Sequence, residues 1–189
     1  MKKFFLTPAL ILFALALVVT GCKQDEDQPT LPPAVANEPE VITTLTLSFT
    51  DANNVQPDVA ATFRDPDGDG GGGPDVFDNI ELVANTTYNV AVTLLNETES
   101  PAEDVTVEIL EENAEHLFCF VADGGSNITV TRTDTDGTFE VGLQSQWVTG
   151  AASTGNIVVT LKHQPDGLKD GTCTPGETDI EVDFPLIIN

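Results

Sequence analysis

From position 41 to position 189 the apolar residues of this chain recur at every second place, in short runs separated by clusters of Asp, Asn, Gly and Pro. An extended strand alternates its side chains between two faces, whereas a helix returns to one face every three or four residues. The pattern therefore selects strands. In Val41-Ile42-Thr43-Thr44-Leu45-Thr46-Leu47-Ser48-Phe49, the residues Leu45, Leu47 and Phe49 share a face, and the threonines with Ser48 take the other. That is the signature of a half-buried strand. Val59, Ala61 and Phe63 repeat it, as do Ile80 with Leu82, and then Tyr88, Val90, Val92 and Leu94. Ile157, Val159 and Leu161 form another such face, and Ile180, Val182, Phe184, Leu186 and Ile188 a longer one. Pro185 within that last run places it at an edge or a bulge. Further strands are expected over 105–110, 117–121 and 128–132. The Asp/Gly turn at 133–137 is expected to pair 128–132 with 138–143 as a hairpin, Phe139, Val141 and Leu143 pointing inward. The one helical candidate, 111–116, reads as a hairpin connection. Roughly nine antiparallel strands with one apolar face each must bury those faces against one another. The expected fold is thus all-β, an immunoglobulin-like or jelly-roll β-sandwich over residues 41–189.

The first forty residues have a different character. Lys2 and Lys3 precede an apolar run from Phe4 to Val19, interrupted by Thr7 and Pro8, which reads as a secretory signal peptide over residues 1–21. The run ends at Val19-Thr20-Gly21-Cys22, which resembles a lipobox, where cleavage before the cysteine leaves Cys22 to carry diacylglycerol. Several acyl chains, at about 0.8 kcal/mol per buried CH₂, make a permanent membrane anchor. Residues 22–40, rich in Pro, Asp, Glu and Gln, read as a flexible linker behind that lipid. Lys23-Gln24-Asp25-Glu26-Asp27 is similar to the surface-export signal of Bacteroidetes lipoproteins, with Gln24 interposed. The expected address is the outer membrane, lipid-anchored, with cell-surface exposure favoured.

Charge narrows the choice of partner. The chain carries 31 Asp and Glu against 7 Lys and Arg, a net charge of −24. Removing the signal takes two of the lysines and no acid. Such a field repels phosphate backbones and attracts cations, so nucleic acid is excluded as a partner and metal ions are favoured. Cys119 and Cys173 remain as an even pair in a compartment that permits disulfides. The sequence leaves two readings open, a bridge between them or two separate thiols with Cys119 buried in a strand.

Several segments together resemble a family of small Bacteroidetes lipoproteins: Phe63-Arg64-Asp65-Pro66-Asp67-Gly68-Asp69-Gly70, Glu81-Leu82-Val83-Ala84-Asn85-Thr86-Thr87-Tyr88, Glu115-His116, Leu161-Lys162-His163-Gln164-Pro165-Asp166 and Glu177-Thr178-Asp179-Ile180-Glu181-Val182. The resemblance covers most of the chain after the signal and implies an envelope address without a particular reaction. Some members carry a type 1 periplasmic-binding fold label. That architecture alternates parallel strands with helices over a far longer chain, which the strand pattern here excludes.

Two groups of residues could hold ions. Asp65, Asp67 and Asp69, followed by Asp75 and Asp78, set carboxylates at alternate positions with glycines that permit a sharp turn, as Ca²⁺ with its six to eight oxygens requires. The run begins like an EF-hand loop but has Val76 where a bidentate Glu belongs. It is also similar to thrombospondin type-3 calcium repeats, with a longer gap after Gly70. The bland alternative is an exposed hairpin loop. His116 and His163, with Cys119 nearby, form the second group and suit Zn²⁺ or copper, although no pair of ligands at short spacing accompanies them. No Gly-x-Ser-x-Gly elbow and no oriented Cys/His pair is found, so a non-enzymatic role is expected. The sequence thus points to a lipid-anchored binding or accessory module, stabilised by Ca²⁺ and assisting an outer-membrane receptor. The alternatives are a transition-metal binding protein using His116 and His163, and a structural surface-coat protein without a ligand.

Overall fold

A computed structural model of the chain describes residues 39–68 and 71–189. The expected signal peptide, Cys22 and the linker as far as residue 38 lie outside the described residues, as does Asp69. The described part is an all-β sandwich of two sheets with one short helix. The larger sheet contains β1 (Thr44–Asp51), β2 (Val59–Arg64), β3 (Val76–Phe77), β5 (Thr87–Asn96), β6 (Glu103–Asp104), β8 (Ile128–Arg132) and β9 (Gln144–Thr149). Its strand order is β3-β2-β1-β5-β9-β8, with β6 on the end of β5. The smaller sheet has the order β4-β11-β10-β7, built from β4 (Ile80–Leu82), β7 (His116–Ala122), β10 (Ser153–His163) and β11 (Glu177–Ile188). All pairings are antiparallel except β4 with β11.

Alternation dictates the core. Leu45, Leu47 and Phe49 of β1, Tyr88 to Leu94 of β5, and Ile157, Val159 and Leu161 of β10 turn inward with the even-numbered residues of β11 from Ile180 to Ile188. Trp147 packs edge-on against Phe49, ring centroids 5.2 Å apart, and joins the inner faces of β1 and β9. An aromatic buried this completely contributes a large apolar area and, by its edge-to-face geometry, fixes how its neighbours pack.

Three expectations change. Residues 105–110 form not a strand but most of helix α1 (Val105–Glu111). Asp104 caps it by accepting from the Thr106 N–H at 3.1 Å, and Val105 and Ile109, one turn apart, are its buried residues while Val107 is exposed. A helical i, i+4 pair and a period-two run coincide at 105 and 109, which is why the residues alone read either way. Second, β8 pairs with β9 rather than with 138–143; that stretch keeps only a single bridge, Thr135 to Glu140, while Val141 and Leu143 are buried. The strand β9 was hidden because Ser145 and Thr149 share the inner face of Trp147. Third, β11 lies between β10 and β4, so Pro185 is not in an edge strand; pairing with β4 begins only at Leu186, and the missing N–H of Pro185 costs nothing on that flank.

Candidate metal centre

One end of the smaller sheet replaces apolar side chains by ionisable ones. β7 begins at His116 and β10 ends at His163, and the two residues are paired directly across the strands. Both continue the inward phase that carries Phe118 on β7 and Leu161 on β10, so both are buried. Their rings lie parallel, 7° between planes, with centroids 4.8 Å apart.

A third residue reaches them through a fault in the sheet. Along β10 and β11 the register runs Leu161 to Ile180 and then Lys162 to Thr178, leaving Asp179 as an extra residue. Such a bulge re-aims a side chain that strict alternation would send outward. The Asp179 carboxylate is accordingly fully buried, with Oδ2 3.8 Å from His116 Nε2. One ligand atom from each of His116, His163 and Asp179 lies within 4.8 Å of the others.

The protonation pattern follows from the hydrogen bonds. His116 Nδ1 is 3.1 Å from the Glu112 carbonyl oxygen. A carbonyl only accepts, so the proton sits on Nδ1 and Nε2 offers a lone pair. Burial pushes the His116 imidazolium down to about 4, so the ring is neutral around pH 7. Burial likewise raises the Asp179 carboxyl to about 6, against the influence of His163. His116 Nε2 and both Asp179 oxygens are buried without a well-formed hydrogen bond; the Glu40 backbone N–H lies near enough to favour the ionised carboxylate but does not close one. Two lone-pair groups that face each other in a dry site need a cation or a proton between them. Two imidazoles and a carboxylate are a donor set suited to Zn²⁺ or Cu²⁺, and an Nδ1–H donated to a carbonyl is the usual outer support of a metal-bound histidine.

Further acids surround the triad. Ligand atoms of Glu40, Glu112 and His116 also come within 4.8 Å of one another. Burial, then the neighbouring Glu108, Asp179 and Glu112, raise Glu40 to about 7. Glu112, one turn beyond Glu108, is raised by burial and by Glu108 and Glu115. Beside the cluster a cleft of about 420 Å³ runs between β2 and β11, lined in part by Ile42, Phe63, Asp65, Asp179 and Glu181.

The acidic loop is arranged otherwise. Asp75 is bound by Arg64 Nη1 at 2.6 Å, and Arg64 Nε also holds Glu97 at 2.6 Å. Asp78 accepts from the Thr62 N–H at 3.0 Å, and Asp67 accepts from the Gly72 N–H at 3.1 Å. Among the described residues, no group of ligand atoms that meets within 4.8 Å draws on Asp65, Asp67, Asp75 or Asp78.

Cys119 and Cys173 are joined by a disulfide, Cα atoms 6.1 Å apart. It fastens the loop between β10 and β11 over the outer face of β7, where Cys119 is buried. Nearby, buried Lys169 donates to the Asn113 carbonyl at 2.7 Å and to Asp136 at 2.8 Å, linking that loop to the connections α1–β7 and β8–β9. Asp179, Glu40, Glu112 and Lys169 were not expected from the sequence. Asp179 sits in the outward phase of its run, and only the bulge turns it in.

Compared with family models, curated proteins and solved structures, the chain matches none of them.

Proposed function

We propose that this chain is a lipid-anchored, non-catalytic module of the outer membrane or cell surface that captures a transition-metal ion, Zn²⁺ or Cu²⁺, between His116, His163 and Asp179. The observation that carries the reading is the buried lone pair of His116 Nε2 facing the buried Asp179 carboxylate at 3.8 Å. A metal ion satisfies both groups at once and occupies a place that the acidic surface already favours for cations. The address is supported by Lys2, Lys3, the apolar run and Val19-Thr20-Gly21-Cys22.

A thermal melt of the full chain in detergent, first with chelator and then with Zn²⁺, Cu²⁺ or Ca²⁺ added singly, tests the ion. Zn²⁺ or Cu²⁺ at about a hundred times its dissociation constant should stabilise the fold by about 2.7 kcal/mol. A melting point unchanged by both ions contradicts the reading. The anchor is tested separately by mass spectrometry of the amino-terminal peptide, which should begin at a diacylglyceryl-modified Cys22; an unmodified Met1 contradicts it.

A further inference from the structure

We propose that the free edge of β8 receives an extended segment of a partner protein as an added strand, a segment with aliphatic residues at its centre and lysine or arginine at its ends. The surface lies apart from the metal centre and depends on no ion.

The two sheets end in four edge strands, β3 and β8 in the larger, β4 and β7 in the smaller. An unpaired edge is a template for a further strand unless it is very short, charged, interrupted by proline or covered. β3 has two residues, flanked by Asp75 and Asp78, and β4 has three, with Glu81 at its centre. β7 is covered in part: the Phe118 N–H donates to the Val141 carbonyl at 2.7 Å, and Arg132 Nε donates to the Phe118 carbonyl. β8 has five residues, Ile128-Thr129-Val130-Thr131-Arg132, with no acid and no proline.

The ladder fixes which of its backbone groups are free. The Thr133 N–H donates to the Gln144 carbonyl and the Gly150 N–H to the Asn127 carbonyl, so the bonded phase against β9 runs through Thr129 and Thr131. In an antiparallel pair the intervening residues turn their N–H and C=O groups the other way. These are Ile128, Val130 and Arg132, and among the described residues no backbone group of another segment bonds to them.

The surroundings of the edge define its occupant. Ile128 and Val130 pack against the core, as does Phe120 of β7, and a cavity of about 190 Å³ is lined by Phe120, Val130, Thr131, Arg132 and Glu140. An added strand turns every second side chain to the inner side, where an aliphatic residue meets Val130 and Phe120. Charge selects the ends. Exposed Asp123 precedes β8, and Asp134 and exposed Glu140 follow it, on a chain of net charge −24. Arg132, the basic residue of the strand, is bound to Glu140 at 2.9 Å. A cationic segment is therefore drawn to this edge. A second copy is not, because antiparallel pairing about Val130 sets the Asp123 end of each strand beside the Asp134 end of the other, like charge against like.

The experiment uses the full-length chain and synthetic peptides of alternating valine and threonine, with two lysines or two glutamates at each end. In the chain alone, hydrogen exchange should be fast at the amides of Ile128, Val130 and Arg132 and slow at those of Thr129 and Thr131. The lysine peptide should bind saturably and protect the first three, and the glutamate peptide should not. Val130→Pro removes an edge donor while sparing the β8–β9 ladder and every charge, and should weaken binding at least about tenfold. N-methylation of the central peptide amides should do the same and leaves the protein untouched, so the test stands even where V130P fails to fold. Absence of binding by the lysine peptide overturns the proposal, as does equal binding of the glutamate peptide, of the methylated peptide or by folded V130P. If the three amides are already protected in the chain alone and lose that protection on dilution, a second copy occupies the edge and the proposal is wrong.

Discussion

His116 and His163 meet ring to ring across β7 and β10 at 4.8 Å, in the strand phase that elsewhere places Phe118 and Leu161 in the core. A stacked imidazole pair in place of aliphatic packing leaves ring nitrogens in a dry environment, where each must be satisfied by a partner. The Glu112 carbonyl satisfies one nitrogen of His116, and Asp179 confronts the other. The predictions below separate a site of this kind from an inert polar end of the sandwich.

Asp179 sets a pH dependence. Burial raises its carboxyl from 3.8 to about 6. Between those values the folded chain keeps a proton that the unfolded chain has released, so its contribution to stability is fully present below about 4 and is lost as pH rises through about 6. With chelator present, denaturant titrations of wild type and D179N should diverge in slope: the wild type should lose stability relative to the variant from pH 4 to 6. Parallel curves would show that the Asp179 carboxyl is solvated and ordinary.

Lys169 and Asp136 form a buried ion pair, their side chains 2% and 6% exposed. Burial alone would raise the Asp136 carboxyl. The Lys169 ammonium and the N–H groups of Phe139 and Thr138 outweigh that effect and hold it at about 2. The K169M substitution leaves the carboxylate without its counter-charge and should cost about 3 kcal/mol in urea unfolding. K169M combined with D136N should recover more than half of that loss, because Asn keeps the amide contacts without the charge. Equal losses in the single and double variants would place the effect in packing instead.

The disulfide closes a loop of 54 residues, for which chain entropy predicts a stabilisation of about 4 kcal/mol. C119S/C173S should therefore lower stability by about 2–4 kcal/mol, and reductant should lower the melting point of the wild type and leave that of the variant unchanged. Insensitivity of the wild type to reductant would mean that the bridge contributes nothing to the folded state.

Much of the fold was legible because period-two alternation survives wherever a strand buries one face, as in β1, β5, β10 and β11. It failed where the buried face is polar, as at Ser145 and Thr149 of β9, and where two periods coincide, as at Val105 and Ile109 of α1. The candidate centre was half legible for a related reason. His116 and His163 stood out by residue type, but their pairing depends on strand register between segments far apart in sequence. Asp179 could not be found at all, since the bulge opposite Leu161 and Lys162 reverses the face that its position in the run implies. The acidic run from Asp65 to Asp78 drew attention by composition. Its partners, Arg64 on Asp75 and the Thr62 N–H on Asp78, are set by the β2–β3 pairing and not by its spacing.

The most direct measurement is the metal content of the full-length protein after equilibrium dialysis against Zn²⁺, compared with the H116N/H163N variant under the same conditions. One ion per chain in the wild type, lost in the variant while its fold is retained, is the result expected if the two imidazoles and Asp179 form the site. Zinc retained equally by both proteins, or by neither, would contradict it.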